Sequence, residues 1–248
     1  MKLSHQLGLP LIAIMTCSWL PAVATDSGSA APVAATNASQ FGTIQLFNGH
    51  NLDGLHLFLE DPSADPAKTF SVSDGILHIT GTPRGYARTL LPYSDYTLHV
   101  EWRFPNGAAN SGVLLHMVNR DEIWAKGYEA QLLSGRAGDI NIFWDARSNE
   151  ESLGRTAKGM STGRLPRPAK ESPEKPLGEW NTFDIVAAGD TLTLTVNGVL
   201  VNRMTGVIPD AGTIGLQSEA GAVDFRNVTL TPLPPAINLH TPMPPPQK

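Results

Sequence analysis

The sequence predicts an all-β domain, a β-sandwich of two antiparallel sheets. Three observations carry that expectation. Apolar/polar alternations of period 2 recur along the middle of the chain. Turn pairs such as Asp74-Gly75, Gly189-Asp190 and Asn197-Gly198 separate them. Helical periodicity is hard to find anywhere. A closed barrel is the alternative that the same pattern allows.

Taken in order, the chain opens on a leader. Lys2 supplies a short positive region, Leu7 to Leu20 is largely apolar, and "PAVA" offers small residues at Ala22 and Ala24. Residues 1–24 therefore read as a secretory signal peptide, the apolar run being too short and interrupted for a membrane span. Cys17, the single cysteine, lies inside it. Thr16 stands where a lipoprotein signal wants a small residue, so cleavage after Ala24 is the better-supported reading. Secretion without disulfides points to a bacterial periplasmic or extracellular protein. Residues 25–40, rich in Ala, Ser, Thr and Pro, read as a flexible linker.

Residues 41–233 are about 190 residues, which suits one domain with a sizeable core. "FSVSDGILHITG" is two runs joined at Asp74-Gly75, a hairpin signal. "YTLHVEWRF" alternates Tyr96, Leu98, Val100, Trp102 and Phe104 against Thr97, His99, Glu101 and Arg103. "GVLLHMV" and "YEAQLL" follow as strands. "WNTFDIVAAGDTLTLTVNGVLVNRM" reads as three strands, and "GTIGLQS" and "AVDFRNVTL" close the domain. The insert from Arg147 to Leu177 is long and irregular, which marks it as functional or mobile. Residues 234–248 form a Pro-rich tail expected to be disordered. The net charge of −5, with no Lys/Arg cluster, argues against a nucleic acid or an anionic membrane surface as partner. It is compatible with neutral polar ligands such as sugars.

Alternation puts Glu129 and Gln131 on one face of "YEAQLL" and Tyr128 and Ala130 on the other. Glu101 and Arg103 repeat that i, i+2 spacing, and His116 lies on an alternate face of "GVLLHMV". If the three strands share a sheet, one face gathers two carboxylates, a guanidinium, an imidazole and an amide, a set suited to acid/base work on a sugar. The bland alternative is a solvated sheet face. Trp124, at a loop edge before Glu129, is a stacking platform for a sugar ring or a packing residue. Asp139 and Asp145 either bind a hard cation or cap turns. His56, His78 and His99 show no partner in the sequence. Glu179, Trp180 and Asn181 mark a turn and a core tryptophan. Gln217 and Arg226, on late strands, are within reach of the same face. H-E-x-x-H and G-x-S-x-G motifs are absent.

The ordered series "QLFNGHNLDG", "FSVSDGILHITG", "YTLHVEWRF" with "NSGVLLHM", "GYEAQLL", "PLGEWNTFDIVAAGDTLTLTVNGVLV", "GTIGLQS" and "VDFRNVTL" resembles the 3-keto-disaccharide hydrolase domain family. The resemblance runs from Phe41 to Leu233. It implies a concanavalin-like jelly roll with a ligand groove on a concave face, secretion, and action on glycosides oxidised at C3. The family's E-x-R strand falls on Glu101 and Arg103, and its N-S-G turn on Asn110, Ser111 and Gly112. Its G-Y-E-x-Q strand falls on Tyr128, Glu129 and Gln131, and its G-L-Q on Gly215 to Gln217. His116 and Met117 stand where family members often carry Arg, and Ser134 and Gly135 replace a common Asp.

For a glycoside oxidised at C3, elimination is the expected route. A ketone at C3 acidifies the hydrogen on C2, and the glycosidic oxygen at C1 then leaves, with water adding afterwards. In that scheme Glu129 is the base, and Arg103 and Gln131 orient or stabilise the enolate. His116 or Glu101 serves the leaving group, and Asn110, Tyr128, Trp124 and Gln217 bind substrate. A divalent metal ion is an optional replacement for one donor. The rivals are a conventional glycosidase using Glu101 and Glu129, and a lectin-like module without catalysis.

Overall fold

The computed structural model describes residues 42–118, 121–144, 146, 163–208 and 210–234. The expected signal peptide, linker and nearly all of the Pro-rich tail lie outside the described residues, as do Asp145 and most of the irregular insert.

The early strands are β1 (Ile44–Gln45), β2 (Leu55–Leu59), β3 (Phe70–Ser73), β4 (Ile76–Ile79) and β5 (Gly85–Thr89). Next come β6 (Tyr96–Arg103), β7 (Gly112–Met117), β8 (Gly127–Gln131), β9 (Ile140–Phe143) and β10 (Gly163–Leu165). The chain then forms β11 (Asn181–Ala188), β12 (Thr191–Val196), β13 (Val199–Met204), β14 (Thr213–Ser218) and β15 (Val223–Pro232). One 3-10 turn, Pro66–Lys68, is capped by the Asp65 side chain. Among the described residues no helix is long and apolar enough to cross a membrane.

Two antiparallel sheets result, a concanavalin-like jelly-roll sandwich. One runs β13-β12-β11-β6-β15-β4-β3, with β1 beside β15. The other runs β10-β9-β8-β7-β14-β5-β2. The expected hairpins form with their expected turns. Asp74 and Gly75 have φ of 52° and 76°, Asn197 and Gly198 of 49° and 78°, the positive pair that a two-residue turn matched to strand twist requires.

The sheets face each other across a core to which alternate residues point. Leu98, Val100 and Trp102 of β6 meet Val113 and Leu115 of β7, Ala130 of β8 and Leu216 of β14 in one cluster. Each fully buried aliphatic or aromatic side chain there contributes about 1.5–3 kcal/mol relative to exposure. A second, smaller cluster lies on the outer face of the seven-stranded sheet. Tyr86, Leu114, Met117, Ala125 and Phe143 form it, with Phe58, Trp124 and Trp144 packed against them. β7 is therefore buried on both faces, which is why "GVLLHM" is a continuous apolar run rather than an alternation.

The sheet order corrects one expectation directly. β6 belongs to one sheet, whereas β7 and β8 belong to the other. Glu101 and Arg103 therefore cannot share a face with Glu129.

Candidate active site

Glu129 sits on β8 between two core residues, so the pleat turns it outward from the sandwich. Its register partners are Leu114 on β7 and Asn141 on β9. The carboxyl lies over Gly112, where an added Cβ would stand 2.2 Å from Oε1. Asn141 Nδ2 donates to Oε2 at 2.8 Å. Oε1 is buried and has no partner among the described residues. The residue is 1% exposed. Burial pushes its carboxyl up to about 8, against the pull of the Asn141 hydrogen bond and with a further push from the charge of Glu219.

The N-S-G turn builds the rest of this polar cluster, one residue at a time. Asn110 pairs through its backbone with Ala220 and donates through Nδ2 to Glu219. Ser111 Oγ donates to the Gln217 carbonyl at 2.7 Å, tying the start of β7 to β14. Gly112 leaves the space that the Glu129 carboxyl fills. The Val113 and Leu216 pairing places Gln217 beside that space, on the face opposite buried Leu216. Gln217 is fully buried, and neither its amide oxygen nor its amide nitrogen has a partner among the described residues. The Asn110 amide oxygen is likewise buried and unpartnered. Buried polar groups are ordinarily satisfied, so these three unpartnered atoms, with Glu129 Oε1, have hydrogen-bonding capacity to spare for hydroxyl or carbonyl groups.

Glu219 is the residue that the sequence reading missed. Burial raises its carboxyl above the usual range, opposed by the Arg84 charge and the Asn110 hydrogen bond. The signal was present: in "GLQSE", alternation carries the face of Gln217 on to Glu219. Asn141 and Arg84 were missed too. Arg84 pairs with Glu60 at 2.7 Å and stands 5.9 Å over the Trp124 ring. Trp124 in turn packs on Phe143 at 5.3 Å, half-buried at the edge of the outer-face cluster. The outer-face apolar cluster thus lies on the same side of the sheet as the Glu129 carboxyl. Gln131 lies on the same face as Glu129, with its Oε1 accepting from the Leu132 and Leu133 N–H groups at 3.0 Å.

Other expected site residues go elsewhere. β7 carries one more residue than β14 between the pairs Leu114↔Gly215 and Met117↔Thr213. His116 occupies that bulge at φ 51°, and the bulge turns its ring inward. It meets Tyr96 and Tyr128 edge-on at 5.7 and 6.4 Å between ring centroids. Its ring therefore lies on the core side of the sheet, opposite to the face that carries Glu129. Tyr128 also points into the core, and its hydroxyl donates to the Ile208 carbonyl and accepts from the Ile208 N–H. Asp139 is not available to a cation, because Arg136, Arg164 and the Arg167 backbone N–H all donate to it. Among the described residues, no three His, Cys, Asp or Glu side chains gather as metal ligands. His56, His78 and His99 each do have a partner, namely Asp121, Asp224 and Asp184.

Glu101 and Arg103 belong to a closed network on the outer face of the eight-stranded sheet. Arg226 and Asn227 donate to Glu101 at 2.6 and 2.7 Å, and Arg103 donates to Asp224 at 2.8 Å. The Trp180 ring lies under both guanidinium groups, 4.6 Å from Arg103 and 4.0 Å from Arg226. Burial alone would raise Glu101, but the Asn227 and Arg226 hydrogen bonds outweigh it and hold its carboxyl below the usual range. Every charge there has its partner, and Glu101, Arg103 and Arg226 lie in the other sheet from Glu129, which assigns this network to the fold. Trp180→Ala is expected to cost about 2 kcal/mol in urea unfolding while leaving turnover at the Glu129 face unchanged. Parallel loss of turnover in folded protein would contradict this assignment.

Solved structures show the same sandwich. A candidate glycosyl hydrolase from Parabacteroides distasonis ATCC 8503 matches with a TM-score of 0.58 at 21% identity, covering 78% of this chain and 94% of its own. A second structure of a candidate glycosyl hydrolase from that organism matches at 0.56 and 21%, covering 77% and 100%. The kappa-carrageenase of Pseudoalteromonas carrageenovora, solved with an oligotetrasaccharide of kappa-carrageenan, matches at 0.52 and 10%, covering 82% and 98%. At these identities the likeness is one of fold. No curated protein matches the sequence significantly. The motif order along the strands is more specific than the sandwich, and it extends across nearly all the described residues. By that measure, over residues 42–231, the chain belongs to the 3-keto-alpha-glucoside-1,2-lyase-like domain family.

Proposed function

We propose that this chain cleaves glycosides oxidised at C3 of the sugar, by removing the C2 proton and expelling the oxygen on C1. The observation that carries this reading is the buried Glu129 carboxyl, held by Asn141 on one oxygen and unpartnered on the other among the described residues, with the unpartnered Gln217 amide and Asn110 amide oxygen on the strands and turn beside it. Carbon is a reluctant acid, and abstraction needs a strong base. The burial that raises Glu129 makes its carboxylate, once ionised, stronger than a solvated one. The proton goes from C2 to Glu129, and the electron pair delocalises onto the C3 oxygen. Collapse of the enolate then breaks the bond between C1 and the glycosidic oxygen. The Gln217 amide N–H, buried and unpartnered among the described residues, is the candidate donor to the enolate oxygen. Glu219, also raised, is the candidate donor to the departing oxygen. Addition of water to the resulting double bond gives net hydrolysis, and release before that addition gives a lyase product.

The opposite assignment, Glu129 as acid and Glu219 as base, is favoured by one observation: a carboxyl near 8 is mostly protonated at neutral pH. The pH profile separates the two. With Glu129 as base, kcat/KM rises with pH through about 8 and then levels; with Glu129 as acid it falls there.

The test of the function itself is incubation with a glucoside and with its 3-keto form. Cleavage confined to the keto form is the expected result. Equal or faster cleavage of the plain glucoside defeats the elimination route, and saturable binding of both without product leaves a lectin.

A further inference from the structure

Beyond the Glu129 cluster, the same face of the seven-stranded sheet carries a concentration of positive charge that the cleavage chemistry does not use. β9 leads to it. Its alternation sets Asp139 on the side of Asn141 and Phe143, about 7 Å along the strand from Asn141. Asp139 is fully buried and bonded by two guanidinium groups. Arg136 donates to Oδ2 through Nε and Nη2 at 3.1 and 3.0 Å, and Arg164 donates to the same oxygen through Nε at 3.0 Å. Two cations thus share one carboxylate oxygen, leaving net positive charge on partly exposed heads, 47% for Arg136 and 40% for Arg164.

A cavity of about 320 Å³ opens here, lined in part by Arg136, Asp139, Arg167 and Lys170. Its wall holds three basic groups and one acid. Arg167 is buried and spends its guanidinium on the carbonyls of Gly135, Lys170 and Glu171, which shapes the loop without cancelling the charge. Two acids flank the loop: Glu174 accepts from the Gly135 and Ala137 N–H groups, and Glu171 is exposed next to Lys170 in the chain. Lys170 is exposed at the rim. The link to the reacting face is direct: Arg164 on β10 pairs in register with Asn141, whose amide holds Glu129.

We infer that this cavity, lined by Arg136 and Lys170 and flanked by Arg164 on the shared aspartate, is a subsite for an oxyanion carried by the sugar or aglycone next to the cleaved bond, so that the substrate class is acidic glycosides. Guanidinium heads fixed by a buried aspartate present their remaining N–H groups in a rigid array, the geometry that suits carboxylate or sulfate oxygens. Lys170 adds a mobile point charge. This rests on the cleavage reading only for the orientation of the ligand, since binding is measurable without turnover.

The experiment is calorimetry on the full chain with three unoxidised disaccharides: a neutral one, one ending in glucuronic acid, and a 6-sulfated one. At low salt the acidic ligands are expected to bind about 10-fold tighter than the neutral one. High salt, Lys170→Gln and Arg136→Gln should each cut that advantage to about 3-fold or less, with Arg203→Gln on the other sheet as the unchanged control. Lys170 is exposed and its variant is safe for folding, so the test survives if Arg136→Gln unfolds. A carboxylate preference without a sulfate preference, or the reverse, identifies the oxyanion and supports the subsite. Equal binding of all three ligands, or an advantage that persists in Lys170→Gln and in high salt, overturns it. Acid-selective binding without cleavage of any 3-keto form would keep the subsite and sink the cleavage reading. Cleavage without acid selectivity would do the opposite.

Discussion

Glu129→Gln is expected to lose about 10²–10⁴-fold in cleavage of a 3-keto-glycoside and yet to be the more stable protein at pH 7. The stability half follows from the raised carboxyl. Glu129 moves from an ordinary 4.5 to about 8 on folding, so the native state holds this proton more tightly than the unfolded chain. Its contribution is therefore fully present below pH 4.5 and is lost as pH rises through 8. At about 1.4 kcal/mol per pH unit, about 3 kcal/mol has gone by pH 7. Glutamine is neutral throughout and keeps the acceptor for Asn141, so the variant escapes that loss. Urea unfolding at pH 4 and pH 7 reads it directly: no difference at the lower pH, a gain approaching 3 kcal/mol at the higher. Destabilisation at pH 7 would mean that the carboxylate is a structural partner rather than a strained functional group.

Gly112→Ala is the second large effect, and it reaches the site without touching a titratable group. The added methyl would lie 2.2 Å from Glu129 Oε1, 2.5 Å from its Cγ and 2.7 Å from its Cδ. The side chain must leave its place over the strand, breaking its alignment with Asn141 and Gln217. Displacement on this scale costs catalysis about 10²-fold, whereas the fold loses only about 1–3 kcal/mol to overpacking. Gly42→Ala, where a Cβ would meet nothing within 4 Å, is the matched control and should match wild type in both measures. Full turnover in Gly112→Ala would show that the reacting group is not where the Glu129 carboxyl lies.

These two residues illustrate what a sequence of this kind makes legible. The strands with clean alternation, β6, β11 and β12, are readable because one face is buried and the other is wet. β2, β5 and β9 went unread: "GYART" has no alternation, because the outer-face cluster covers Tyr86 while Ala87 faces the main core. Glu129 was legible from the pleat alone. Its partners were not, because alternation says which side of a strand a residue takes and nothing about which sheet the strand joins. Glu101 has the same local pattern as Glu129 and sits on the far side of the molecule, paired with Arg226. His116 failed for another reason. A single bulge residue at positive φ reverses the face of everything after it, and no periodicity signals where it falls. Glu219 was within reach, two residues past Gln217, but its pairing with Asn110 joins positions 109 residues apart in the chain.

The central claim concerns one hydrogen, the one on C2 of the oxidised sugar. A 3-keto-glucoside carrying deuterium at C2 passes that label to Glu129, and exchange of the carboxyl with water before C2 is reprotonated should carry it to solvent, whether the product is hydrated or released as the unsaturated sugar. Mass spectrometry of the sugar product, corrected for the enzyme-free exchange rate and run beside Glu129→Gln, reads this directly. Loss of one deuterium per bond cleaved is the predicted result; a cleaved sugar that still carries its C2 deuterium contradicts the account.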